Sequence, residues 1–229
     1  LTKTANKITV YYIKIEYDSL NKKVQDTISI REKKYNDNNQ IFNMFQRILI
    51  NNETMEIDYN YNDNEKIKTE IVKMSTDILP FIVYYKYKDT LLLKTLSETK
   101  NNKFHFKQIG KYEYNTDNKL KQSSLHQQFI DVESKDTITN TLEISKYDDK
   151  EYVTESKLSN FINPERNRLT KLDYDCGILV EVRVFSGKDS LISETKYKYE
   201  FDEYENWIKK ESYEKNKLNY IQIREIEYK

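Results

Sequence analysis

Glycine and proline are nearly missing from this chain, with three Gly and two Pro in 229 residues. Disordered segments are usually richer in both and poorer in aromatics. Aromatics here reach 13%, mostly through 20 Tyr, so a folded chain is expected despite a mean hydropathy of −0.90. Charge of one sign is also missing. Lys+Arg and Asp+Glu are both 38, and the basic excess of a nucleic-acid-binding protein is not there. A single cysteine, Cys176, excludes an intramolecular disulfide and reads as a buried structural thiol. No uncharged apolar run approaches the ~18 residues of a membrane-spanning helix. The chain opens at Leu1 with neither Met nor a signal-like apolar core, which reads as a processed chain and leaves room for a removed leader or lipid anchor.

What is present is a repeat. Tyr35, Tyr61, Tyr87, Tyr114, Tyr147, Tyr174, Phe201 and Tyr228 follow one another at steps of 26, 26, 27, 33, 27, 27 and 27 residues. After each aromatic comes a polar segment and then an aliphatic residue, in turn Ile41, Ile67, Leu93, Leu120, Val153, Val180 and Ile208. Segments such as Asn36-Asp37-Asn38-Asn39, Asn62-Asp63-Asn64-Glu65, Asn115-Thr116-Asp117-Asn118 and Asp175-Cys176-Gly177 read as tight turns. Asn, Asp and Gly tolerate the positive φ that hairpin turns demand. Flanking residues alternate as strands do, with Ile57, Tyr59 and Tyr61 on one face and Val180, Val182 and Val184 on another.

Halfway between these turns lie others, at Asn51-Asn52, Lys100-Asn101-Asn102, Ser134-Lys135-Asp136, Ser186-Gly187-Lys188-Asp189 and Glu214-Lys215-Asn216. Each unit of about 27 residues is therefore strand, turn, strand, turn. The long 33-residue step predicts one lengthened hairpin. Near the start, Tyr17-Asp18 echoes the motif, and Val24 to Tyr35 reads as one long strand. The expected fold is all-β, an antiparallel meander of about eight stacked hairpins in a single array over 1–229. Residues 1–35 form an atypical N-terminal cap and 36–229 the regular repeats.

The stretch Tyr197-Lys-Tyr-Glu-Phe-Asp-Glu-Tyr-Glu-Asn-Trp207-Ile208 resembles the aromatic-Asp hairpin of bacterial YD-repeat (Rhs-like) proteins. Weaker copies at Asp173-Tyr174-Asp175, Lys146-Tyr147-Asp148 and Glu16-Tyr17-Asp18 keep the Tyr-Asp core. The family places Gly in the turn, where Glu205, Asn64 and Asn118 stand here, and Lys88 replaces the Asp after Tyr87. Large members wrap many repeats into a shell around a C-terminal toxin. The repeat signal here runs to Tyr228, so no toxin domain is expected to follow. About eight units are too few for such a shell, and an open curved sheet or half-roll is expected. The resemblance implies an extracytoplasmic bacterial protein, periplasmic, attached to the outer membrane as a lipoprotein or exposed at the cell surface.

The candidate binding residues are Trp207, the single Trp, and the recurring Tyr59, Tyr61, Tyr85, Tyr87, Tyr112, Tyr114, Tyr197 and Tyr199. Stacked into cross-strand ladders they form a thin core. Left exposed, they form a platform for sugar or protein. His105 and His126 have no His or Cys at metal-ligand spacing and no nucleophile motif, so neither a metal nor a cofactor nor catalysis is expected. Neighbouring acids such as Asp148-Asp149 and Glu200 to Glu205 read as solvated faces and turns, and Lys209-Lys-Glu211 as protection of an open sheet edge. The functional expectation is a non-enzymatic interaction or scaffold subunit of an envelope or surface assembly. It would bind a partner protein, and not nucleic acid, through a sheet face or edge. The alternative is a glycan-binding module using exposed Tyr rows.

Overall fold

The computed structural model describes residues 5–17, 23–75 and 80–228. Asp18, part of the first Tyr-Asp motif, lies outside the described residues. The described strands are β1 (Ala5–Tyr17), β2 (Lys23–Tyr35), β3 (Ile41–Ile48), β4 (Glu53–Tyr61), β5 (Ile67–Met74), β6 (Phe81–Lys88), β7 (Leu91–Lys100) and β8 (Phe104–Tyr114). They continue with β9 (Leu120–Asp131), β10 (Thr137–Tyr147), β11 (Val153–Asn160), β12 (Arg168–Asp175), β13 (Ile178–Ser186), β14 (Leu191–Phe201), β15 (Trp207–Glu214) and β16 (Lys217–Tyr228). A short 3-10 turn at Pro164–Arg166 joins β11 to β12. The lengthened hairpin predicted from the 33-residue step is β9 and β10, of 12 and 11 residues.

All-β is the class observed, but the sheet is not open. Its strand order is cyclic, a closed sixteen-strand antiparallel barrel. The expectation of a curved sheet or half-roll fails at one place. β1 pairs with β16, from Ala5↔Tyr228 through Val10↔Arg224 to Lys14↔Tyr220, as well as with β2. The first hairpin is thus the partner of the last strand. Closure leaves no free edge strand in this order, so Lys209-Lys-Glu211 does not guard an edge. Lys209 instead bridges Glu200 on β14 at 2.7 Å and Glu211 at 3.0 Å.

Chain contacts divide the protein into two compact units, residues 1–60, 71–78 and 195–229, and residues 61–70 and 79–194. In the first, the buried apolar side chains are Ile8, Val10, Ile15, Met44, Val72 and Ile221, most of them beside the β1–β16 seam. In the second, Val83 is buried together with Thr95, Ser97 and Gly110. Gly110 is needed for close approach. A Cβ there would lie 2.3 Å from Thr95 Oγ1 on the neighbouring strand, with the Tyr112 ring about to touch it as well.

Six of the turns share one design. The Asn36 side-chain oxygen accepts the amides of Asn38 and Gln40 at 3.1 and 2.9 Å, and Asn39 takes φ +60°. Loops headed by Asn62, Asn115, Asp148 and Asp202 repeat both features, with positive φ at Glu65, Asn118, Glu151 and Glu205. Ser186 heads the same loop through its hydroxyl, with Asp189 at the positive φ. A short polar side chain at the first position substitutes for backbone hydrogen bonds the loop lacks. Of the turn residues Glu205, Asn64 and Asn118 singled out from sequence, Glu205 and Asn118 take the left-handed position, but in the second hairpin it is Glu65 and not Asn64.

Behind six of the turns the aromatic faces the first or second residue of the next strand and the register then skips one residue. Tyr35↔Ile41, Tyr87↔Leu92, Tyr114↔Leu120, Tyr147↔Val153, Tyr174↔Leu179 and Phe201↔Trp207 all precede such a bulge. Hence Ile41, Leu120 and Val153 of the sequence pattern oppose the aromatic, while Leu93, Val180 and Ile208 are the skipped residues. Cys176 and Gly177 form a two-residue turn with φ +47° and +85°. The thiol is exposed, not the buried structural thiol expected, because the turn places it at a hairpin tip.

Candidate functional site

In the first unit the two faces of the sheet carry different charge. Strand period two puts Lys7, Glu32, Lys198, Glu200, Lys209, Glu211, Glu225 and Glu227 on one face. They pair across strands, as in Lys7–Glu32 at 3.0 Å, Lys209–Glu200 and the Tyr11 hydroxyl on Glu225 at 3.1 Å. Residues one step along alternate to the other face, which presents Arg31, Lys33, Lys210 and Arg224 with Tyr12, Tyr197 and Tyr199. Around the seam, a chain of zero net charge therefore presents one face of mixed charge and one that is cationic and aromatic.

On the cationic face a cavity of about 290 Å³ is lined by Ile8, Val10, Tyr12, Arg31, Lys33, Tyr35, Trp207, Gln222 and Arg224. Its floor is the seam itself, Ile8 and Val10 of β1. Its cations are held from behind. Arg31 lies over the Tyr12 ring at 5.3 Å and gives two hydrogen bonds, from Nε at 3.1 Å and Nη2 at 2.8 Å, to Gln46 Oε1. Gln46 is fixed in turn by donating to the Ser29 hydroxyl at 3.0 Å. Arg224 lies 4.9 Å over Trp207, whose ring meets the Tyr199 ring edge-on at 6.5 Å. Lys210 sits 4.0 Å above the Tyr197 ring.

Nothing acidic lines this cavity. Burial pulls the Lys33 ammonium below its usual range, and repulsion from Arg31 and Arg224 adds to it. Arg224 and Lys210 are likewise lowered by burial. Lys33 and Arg224 make no ion pair among the described residues. The acid that acts on Arg224 is Asp202, whose carboxylate is occupied by the Tyr228 hydroxyl and the amides of Tyr204 and Asn206. An arrangement of like charges half out of water, with no carboxylate in the lining itself, is suited to hold an anion.

Of the residues singled out from sequence, Trp207, Tyr197 and Tyr199 come together here. Tyr59 is half-buried on β4 of the same unit. Tyr61, Tyr85, Tyr87, Tyr112 and Tyr114 lie in the second unit, all half-buried. Several are fixed through their hydroxyls. Tyr87 donates to the Ile67 carbonyl at 3.0 Å, Tyr114 to the Leu92 carbonyl at 2.9 Å and Tyr85 to Glu70 at 2.6 Å. His105 is 2.7 Å from Glu98, and His126 is 2.8 Å from the Asn140 side chain. Sequence reasoning missed Arg31, Lys33, Lys210 and Arg224. The available signal was the alternation Arg31-Glu32-Lys33 and Arg224-Glu225, which segregates charge by face once the strands are placed.

No protein-family model matches the chain, and no curated protein resembles it in sequence. Solved structures do match its fold. A porin-like protein from Bacteroides uniformis is 11% identical with a TM-score of 0.57, covering 99% of each chain. Another porin-like protein, from Bacteroides vulgatus, is 10% identical with a TM-score of 0.58 over 99% of each chain. The likeness is one of fold.

Proposed function

We propose that this chain is a non-enzymatic interaction protein of the bacterial envelope that works in water, not embedded in lipid. The shared barrel fold of the porin-like proteins supports the envelope. The observation that carries the aqueous setting is the charge on both faces of the β14–β15–β16–β1–β2 sheet. A membrane-spanning barrel needs one apolar face about 25 Å tall, and each Lys or Arg at mid-membrane costs roughly 2–4 kcal/mol. Lys198 and Lys209 stand on one face, Lys33, Lys210 and Arg224 on the other, so neither face meets that demand. With no free edge in the strand order, a partner protein meets a sheet face or the loops. Charged side chains held in cross-strand pairs suit a face of that kind.

Fractionation of the native host tests the reading. The chain is expected in the envelope fraction, released by alkaline carbonate and monodisperse without detergent, with a partner retained on gentle solubilisation. Retention in the carbonate-washed membrane of a chain that carries no lipid by mass spectrometry, or solubility of that unlipidated chain only in detergent, would show that it spans the bilayer and overturn the proposal.

A further inference from the structure

We propose that the cavity walled by Trp207, Tyr12 and Tyr35 is a binding site for a single acidic sugar, whose oxyanion group sits between Arg31, Lys33 and Arg224. The inference deepens the reading of the chain as a binding protein and does not depend on where in the cell it works.

Three features converge on this ligand. The first is charge. Arg31, Lys33 and Arg224 face one space with no carboxylate in its lining. Burying like charges together costs stability, and the lining itself offers them no carboxylate. A carboxylate, sulfate or phosphate ester supplies the missing counter-charge. The second is preorganisation. Contacts with the Tyr12 and Trp207 ring faces hold both guanidinium groups at the cavity, and Gln46 occupies Nε and Nη2 of Arg31. The remaining N–H groups of Arg31 and those of Arg224 are left for planar, two-point recognition of an oxyanion, with Lys33 as a point charge.

The third feature is the body of the ligand. A volume of about 290 Å³ falls just below the roughly 300–1,000 Å³ usual for ligand sites, room for one pyranose ring. The Tyr12 and Tyr35 hydroxyls and the Gln222 amide offer donors and acceptors to ring hydroxyls, while Ile8 and Val10 give an apolar floor. An inorganic anion alone would leave these groups unused.

Trp207 is the only Trp in the chain, so its emission reports on this cavity alone. The purified chain is titrated with glucuronate, glucose 6-phosphate, glucose 6-sulfate, glucose and inorganic phosphate, with calorimetry alongside. Saturable binding of the acidic sugars is expected, weakening as NaCl is raised, with glucose silent. Comparison of the three acidic sugars distinguishes carboxylate, phosphate and sulfate as the source of the oxyanion. Arg224→Gln and Lys33→Gln should each weaken binding at least tenfold, while Lys209→Gln, on the opposite face, leaves it unchanged. Circular dichroism and melting confirm that each variant is folded, and two variants on different strands keep the test open if one is not. Absence of saturable binding to every acidic sugar, or full affinity in both variants, overturns the site. Inorganic phosphate binding as tightly as glucose 6-phosphate overturns the sugar assignment. Either failure leaves the fractionation result standing, because the titration does not depend on the envelope.

Discussion

A single side chain in the second unit shows how the tyrosine interior handles charge. Glu70 on β5 is raised above the ordinary carboxylate range by burial, and the hydrogen bond from Tyr85 at 2.6 Å only partly opposes this. Burial also raises the nearby Tyr61 and Tyr87 hydroxyls, and the Glu70 charge adds to both. A carboxyl raised on folding binds its proton more tightly in the native state. Its contribution to stability is complete below the ordinary value of 4.5 and is lost as pH rises through the raised one. Glu70→Gln keeps an oxygen for the Tyr85 hydroxyl and removes the charge. The variant should melt higher than the parent near neutral pH and no higher in mild acid. Thermal melts across that range decide it. A variant less stable at neutral pH would mean that the ionised Tyr85–Glu70 bond outweighs desolvation.

At the scale of the element, the hairpin loop is the unit that the sequence states most openly. The first residue must be a short acceptor, and the fourth must tolerate positive φ. Asn115→Ala removes acceptors for the Asp117 and Lys119 amides and should cost about 1 kcal/mol, or roughly 2–4 °C in Tm for a chain of this size. Glu205 holds φ +62°, a conformation worth roughly 1–2 kcal/mol against a side chain and nothing against glycine. Glu205→Gly gives back about half of that as chain entropy and should still raise Tm by a degree or more. A fall in Tm would show that the Glu205 side chain holds the loop. These loops were legible because Asn, Asp and Ser at fixed steps have one local use. The Tyr positions were legible from period two for the same reason. The cationic cavity was not. Arg31, Lys33 and Arg224 belong to strands at opposite ends of the chain, and only the seam register brings Val10 beside both Arg31 and Arg224. In sequence, each looks like one charge among many on a solvated strand.

For the whole molecule, closure was the feature that local patterns could not express. Whether a meander closes depends on twist and stagger summed over every strand pair, and a small change per pair decides between an open sheet and a barrel. The seam that completes it joins residues more than 200 positions apart, such as Val10 and Arg224, whereas β6 and β7 meet across a two-residue turn at Asp89-Thr90. Hairpins of that kind need little loop closure and can form early. The seam needs the strands between its partners to be in place first. Ile221 on β16 is 5% exposed and pairs with Ile13 of β1, while Val83 on β6 is 6% exposed within its local hairpin. Ile221→Ala should cost about 2–4 kcal/mol and lower Tm by roughly 5–15 °C. Stopped-flow kinetics should place most of that loss in faster unfolding, with refolding nearly unchanged. Val83→Ala should instead slow refolding, because its contacts belong to structure already formed at the barrier. If Ile221→Ala slowed refolding by the whole of its stability loss, the two ends of the chain would have to meet before the hairpins between them settle, and the seam would nucleate the barrel instead of completing it.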